Sequence, residues 1–268
     1  MTETLRKAPQ GLVGLIDANQ ALWAAEAEVC STYFASPARS RRSDLRWLAR
    51  QAAKELIDGV VPRADELGRL LASGEGASHA DLLASTTEEL AEEAAHFAAF
   101  TAAYDQLRHD DSPVLDFEVL TRAVAWPENL ALRDARHAHR RQHGKLGELA
   151  GIVTEGGYCT LFTEGMRLAG RGGADDLIAS ACALVHDDEF DHMVGGIAGL
   201  CDAGLSAAQW NLLADLTVEQ SRLRVRMRDA QFDHPLDGAR LDVLLTGGVS
   251  PLRFDWARAR LAPPEGGR

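Results

Sequence analysis

The chain has 268 residues, 46% of them hydrophobic and 25% charged, with 28 Lys and Arg against 40 Asp and Glu for a formal net charge of −12. That acidity sets the surface against phosphate backbones and anionic lipid, and no apolar run reaches the roughly 20 residues a membrane-spanning helix needs, so neither nucleic acid nor membrane is an expected partner. Cys30, Cys159, Cys182 and Cys201 are dispersed with no C-x-x-C pair, and Asp17 interrupts the apolar stretch Gly11–Ile16, so a cytoplasmic protein with reduced thiols is expected.

Helical periodicity dominates and alternating strand patterns are nearly absent, which predicts an all-α fold. A first amphipathic helix runs from about Pro9 to Phe34, with Leu12, Leu15, Asn19, Leu22, Glu26, Val29 and Tyr33 on one face. Pro37 and the basic run Arg39–Arg42 end it, and Ser43–Asp44 caps a second helix carrying Leu48, Ala52, Glu55 and Gly59. Pro62 is expected to kink or end that helix before the pattern resumes to Leu71.

After a turn at Ser73–Ser78, a long helix extends from about His79 to Leu107. His109–Pro113 breaks it, and a shorter helical piece ends at Trp126–Pro127. The pattern from Leu130 to Leu168 is again helical, with a break near Gly144, and Gly170–Gly173 forms the next turn. Helices at Ala174–Cys201 and Ser206–Phe232 follow, Pro235 stops the last, and the tail from Gly247 to Arg268 is expected to be loose. One domain over residues 1–268 is the economical reading.

Two helices carry Glu-x-x-His: Glu93 with His96, and Glu189 with His192. Residues three apart share a helix face, so each pair can present a carboxylate and an imidazole to one interior point. The first pair lies on the stripe Leu82, Thr86, Glu89, Glu93, His96, Phe100 and Leu107. The second lies on Ile178, Cys182, Val185, Glu189, His192, Gly196 and Gly199. Charges centred on apolar stripes are costly unless paired or metal-bound.

Hairpin geometry suggests the other carboxylates. Glu155 and Glu189 each lie 17 residues from Gly172, which levels them across an antiparallel helix pair. Glu148 would sit about two turns, roughly 10 Å, too far along. Glu55 lies about as far before the turn at Ser73–Ser78 as Glu93 lies after it, and Glu26, mid-face on the first helix, is its rival. His139 and His143 stand among arginines, which disfavour a cation, and a solvated face is expected there. Gly156 and Gly157 follow Glu155 and are costly in a helix interior; they fit either a locally widened helix beside the site or close helix contact.

This pattern resembles the ferritin-like di-iron carboxylate proteins over about residues 43–201. The resemblance implies a four-helix-bundle core with additional N- and C-terminal helices. It implies two Fe ions, with Mn as the alternative, held by Glu55, Glu93, His96, Glu155, Glu189 and His192, and no catalytic group beyond those ligands. With O2 as co-substrate, a small organic molecule would be oxidised by hydroxylation, N-oxygenation or oxidative cleavage. No flavin or iron–sulfur motif is present, so a separate reductase would supply electrons.

Phe100 occupies the position where radical-generating members carry Tyr, so no stable tyrosyl radical is expected there. Phe100, Tyr158 and Cys159 are expected to line the pocket. His186, one turn before Glu189, resembles an additional ligand of the di-iron N-oxygenases, offset by one residue. Glu89 with His96 matches the spacing of haem-oxygenase-like di-iron oxidases, the alternative class, in which Glu89 replaces Glu93. A non-catalytic iron-binding or storage protein is the further alternative. Substrate and oligomeric state, a homodimer included, stay open.

Overall fold

The computed structural model describes residues 8–73, 77–154, 159–255 and 260–262. The chain is helical almost throughout, as its periodicity predicts. In order the helices are α1 (Gln10–Ala35), α2 (Arg41–Lys54), α3 (Val61–Ser73), α4 (Ala77–Leu107), α5 (Phe117–Val124), α6 (Pro127–His143), α7 (Lys145–Val153), α8 (Thr160–Met166), α9 (Ala174–Cys201), α10 (Ala207–Gln231) and α11 (Gly238–Leu245). A π-helical segment, Glu55–Val60, joins α2 to α3.

Where the sequence reads as one domain, the chain divides into two compact units, both discontinuous. The first comprises Met1–Ala38, Pro127–Arg167 and His186–Arg268, and the second Arg39–Trp126 and Leu168–Val185.

In the first unit α1 packs along α10, with α6 and α7 also against α10. Leu12, Leu15 and Ile16 of α1 meet Val194, Ile197 and Leu200 of α9 and Leu213 of α10 in one apolar cluster. Each such buried side chain contributes roughly 1.5–3 kcal/mol. Gly11 is required where α1 meets α10, because a Cβ there would collide with the Trp210 indole. Ser206 starts α10 through a reciprocal capping box with Gln209. Gly144, at φ 53°, separates α6 from α7, the break its sequence position suggests.

The tail departs from expectation. Residues Arg253–Asp255 (β1) pair antiparallel with Arg260–Ala262 (β2), and Phe254 is buried in the first unit's core. Leu252 N–H also donates to the Gln20 carbonyl at 3.3 Å. The Pro- and Gly-rich composition hid these anchors.

In the second unit the Ser40 hydroxyl accepts from Ser43 N–H and opens α2, three residues earlier than the Ser43–Asp44 cap expected. Trp47, Leu48 and Ala52 are fully buried, and the Trp47 ring meets Phe100 of α4 edge-on at 6.2 Å. Pro62 neither ends nor breaks the helix. The Val61 N–H bonds five residues back to Leu56, so the widened turn delivers Pro62 to the opening turn of α3, where a missing N–H costs little.

Candidate metal centre

Glu55 opens the π-helical segment, and Glu93 and His96 lie one turn apart on α4, which packs against that segment. One donor atom from each of the three lies within 4.8 Å of the others. His96 is fully buried, Glu55 is 7% exposed, and the Glu93 side chain is 15% exposed. His96 Nδ1 stands 3.8 Å from Glu93 Oε2.

Two further residues shape the site. Gln51, one turn before Glu55, donates from Nε2 to Glu55 Oε1 at 2.6 Å and orients the carboxylate. Gly59 faces Glu93 so closely that a Cβ there would collide with its carboxylate group. The glycine therefore provides room for a side chain, since its φ is not positive and any residue could adopt its backbone. Gly59 was visible in the sequence as sharing a face with Glu55; its role was not.

The electrostatics leave a deficit of positive charge. Burial, and then the adjacent Glu93 carboxylate, push the Glu55 carboxyl up from 4.5 to about 7. The Gln51 hydrogen bond, His96 and Lys54 offset this only in part. A divalent cation would supply the missing charge.

The donor set fits such an ion. Metal–oxygen and metal–nitrogen bonds of about 2.0–2.2 Å place donors around one ion roughly 3–4.3 Å apart. The donors here lie within 4.8 Å of one another, slightly wider than that range. Two carboxylates and one imidazole, with no thiolate, suit iron, manganese or zinc, and three protein ligands leave coordination positions open.

The remaining expected ligands behave differently. Glu155 and Tyr158 lie outside the described residues. Glu189, in the first unit, is buried, but His192 is exposed, so this Glu-x-x-His does not turn both groups inward. The buried stripe instead continues from Glu189 through Met193, Ile197 and Leu200, in steps of four, four and three. Beyond Val185 the helix belongs to the first unit, whose apolar cluster sets the inward face. His186 is half-buried, stacks on Phe190 with ring centroids 5.7 Å apart, and meets Asp187 at 3.2 Å. Glu89 is ion-paired to Arg63 at 2.9 Å, so Glu93 and not Glu89 joins His96.

Glu26 lies in a different cluster, with arginines. Arg224 bonds it at 2.9 and 3.2 Å and Arg228 at 3.0 Å, all three side chains buried in the first unit. Burial would raise its carboxyl, but the two guanidiniums outweigh that and hold it below the ordinary value. Arg224 also feels the charge of Glu189. Cys159 is buried at the entrance to α8 in a left-handed conformation, φ 60°, and burial followed by Glu189 pushes its thiol well up. Phe100 is fully buried against Trp47, one turn beyond His96.

His139 also departs from the solvated face expected of it. It is buried, with Nδ1 at 3.0 Å from Gln220 and Nε2 at 3.3 Å from Glu219. No helix among the described residues is long and apolar enough to cross a membrane. Comparison with protein-family models, curated proteins and solved structures finds no match for the chain.

Proposed function

We propose that the protein is a non-haem iron oxidoreductase built on Glu55, Glu93 and His96. The observation that carries this reading is the convergence of two carboxylates and one imidazole, with Glu55 held by the neutral Gln51 and its charge offset only in part by His96 and Lys54. A carboxylate from one helix with a Glu-x-x-His pair from another is half of the ligand set used by di-iron carboxylate bundles. Iron bound there would supply O2 activation for oxidation of a small organic substrate, with electrons from a separate donor. The chain's own groups would fix geometry: Gln51 holds the Glu55 carboxylate, Gly59 makes room for Glu93, and the buried Phe100, one turn beyond His96, adds apolar surroundings.

Anaerobic loading with iron(II), followed by metal analysis, tests the reading. Iron bound by the wild type and lost in Glu93→Ala and His96→Ala supports the centre; equal uptake by these variants overturns it. About two ions per chain, one of them lost in His192→Ala, gives the dinuclear form implied by the resemblance. One ion, retained in His192→Ala, gives a mononuclear centre. Reductant-dependent O2 consumption that vanishes in Glu93→Ala separates an oxidoreductase from a protein that only stores iron.

A further inference from the structure

Five arginines converge on one cleft of the second unit, a concentration unlike the rest of this acidic chain. Arg41, Arg42, Arg46 and Arg50 of α2 and Arg122 of α5 line a cavity of about 930 Å³, and Asp111 is the single acidic residue in its wall. The lining therefore carries a formal surplus of positive charge in a protein whose net charge is −12. Arg42, Arg46 and Arg50 repeat at intervals of four and stack along one helix face. Like charges at that spacing cost roughly 0.2–0.5 kcal/mol per pair.

For three of the five arginines the partners neutralise little. Arg41 contacts His109, which carries no fixed negative charge. Arg122 reaches Glu118 at 3.4 Å, but both are largely exposed, where an ion pair contributes little. Arg42 is exposed and has no ion-pair partner among the described residues.

The cavity also has apolar lining, which contains a second signal. Leu45, Ala49, Pro113, Ala123 and Trp126 line the same cavity. Trp126 is 6% exposed, its ring lies 5.3 Å beneath the Arg50 guanidinium, and its buried indole N–H has no hydrogen-bond partner among the described residues. A buried donor left unsatisfied costs about 1–3 kcal/mol. The Arg50–Trp126 stack also holds a planar guanidinium in fixed orientation. The cleft opens at the start of α2, where Ser40 and the helix dipole add further attraction for negative charge.

We propose that this cleft binds a small organic dianion, a phosphomonoester or dicarboxylate, whose apolar part lies against Leu45 and Trp126. Guanidinium forks match both oxyanions in bidentate fashion, and the cavity lies within the usual range for small-molecule sites. A nucleic-acid polymer is disfavoured because its further phosphates would meet an acidic surface.

Calorimetric titration with phenyl phosphate and with phthalate tests the proposal, and the two probes tell phosphate from carboxylate recognition. Binding of at least one, absent for benzyl alcohol and weakened roughly tenfold or more when salt rises from about 50 to about 200 mM, is the expected result. The double variant Arg42→Ala/Arg46→Ala, two exposed positions that leave the fold intact, should lose binding by about tenfold or more, while Arg226→Ala on α10 should match wild type. No binding of either anion, or equal binding by the double variant, overturns the proposal. Neither result depends on the metal centre, since all titrations run on metal-free protein and Glu93→Ala should bind the anion like wild type.

Discussion

Glu26 and Glu55 are both buried carboxylates on helices, 2% and 7% exposed, and they make an instructive pair. Glu26 is enclosed by Arg224 and Arg228, which hold it ionised below its ordinary range. Glu55 has Gln51, a neutral donor, and a second carboxylate beside it, and its carboxyl rises to about 7. The first is complete from the chain's own residues. The second reaches charge balance only with a proton or an external cation, and that difference separates a structural ion cluster from a binding site.

The largest expected effect comes from breaking the complete cluster. Glu26→Gln takes from two buried guanidiniums the carboxylate they share, at a cost of about 3–5 kcal/mol, and calorimetry should show Tm falling by about 10 °C. Iron binding per folded chain should be unchanged. A silent Glu26→Gln would mean that the two guanidiniums are not held by Glu26, and the contrast with Glu55 would fail.

Breaking the incomplete cluster should act on metal instead. His96→Ala should reduce iron affinity by about 100-fold or more, read by competition with a chelator, since removing a direct ligand exceeds the effect of removing its support. Thermal stability of the metal-free protein should change far less than in Glu26→Gln.

Acidity sharpens the comparison further. The Glu55 carboxyl titrates near 7 in the fold and near 4.5 when unfolded, so the native state holds the extra proton between those values. Stability of the metal-free protein should therefore be greatest below about 4.5 with respect to this group and be lost as pH rises towards 7. Glu55→Gln should remove that slope and raise Tm at pH 8, opposite in sign to Glu26→Gln. Iron must displace the same proton, so affinity should fall about tenfold per unit below pH 7 and level off above it.

The smallest expected effect is at Gly59. Gly59→Ala should push the Glu93 carboxylate aside and weaken iron binding by about tenfold, with a stability change within about 1 kcal/mol because a flexible side chain gives way. Unchanged affinity would show that Glu93 reaches the metal without that clearance.

Much of the helical order was readable. Ala174–Cys201 matches its predicted bounds, α1 and α10 lie within a residue of theirs, and the break at Gly144 falls as expected. Amphipathic period and breakers are local signals, so they survive folding. Hairpin counting also brought Glu55 to Glu93 despite Pro62, because a π-turn absorbs the proline without bending the chain out of register. The same reasoning did not extend to His192. Its helix runs on past Val185 into the first unit, where a different apolar cluster chooses the inward face.

By itself the sequence determined the helical class, the positions of the major helices and the pairing of Glu93 with His96 on one face, since backbone geometry alone enforces a three-residue spacing. Only the tertiary structure decided which carboxylate stands free of arginine and which is neutralised. Arg224 and Arg228 lie about 200 residues from Glu26, and no helical period reports what a side chain will meet from another helix.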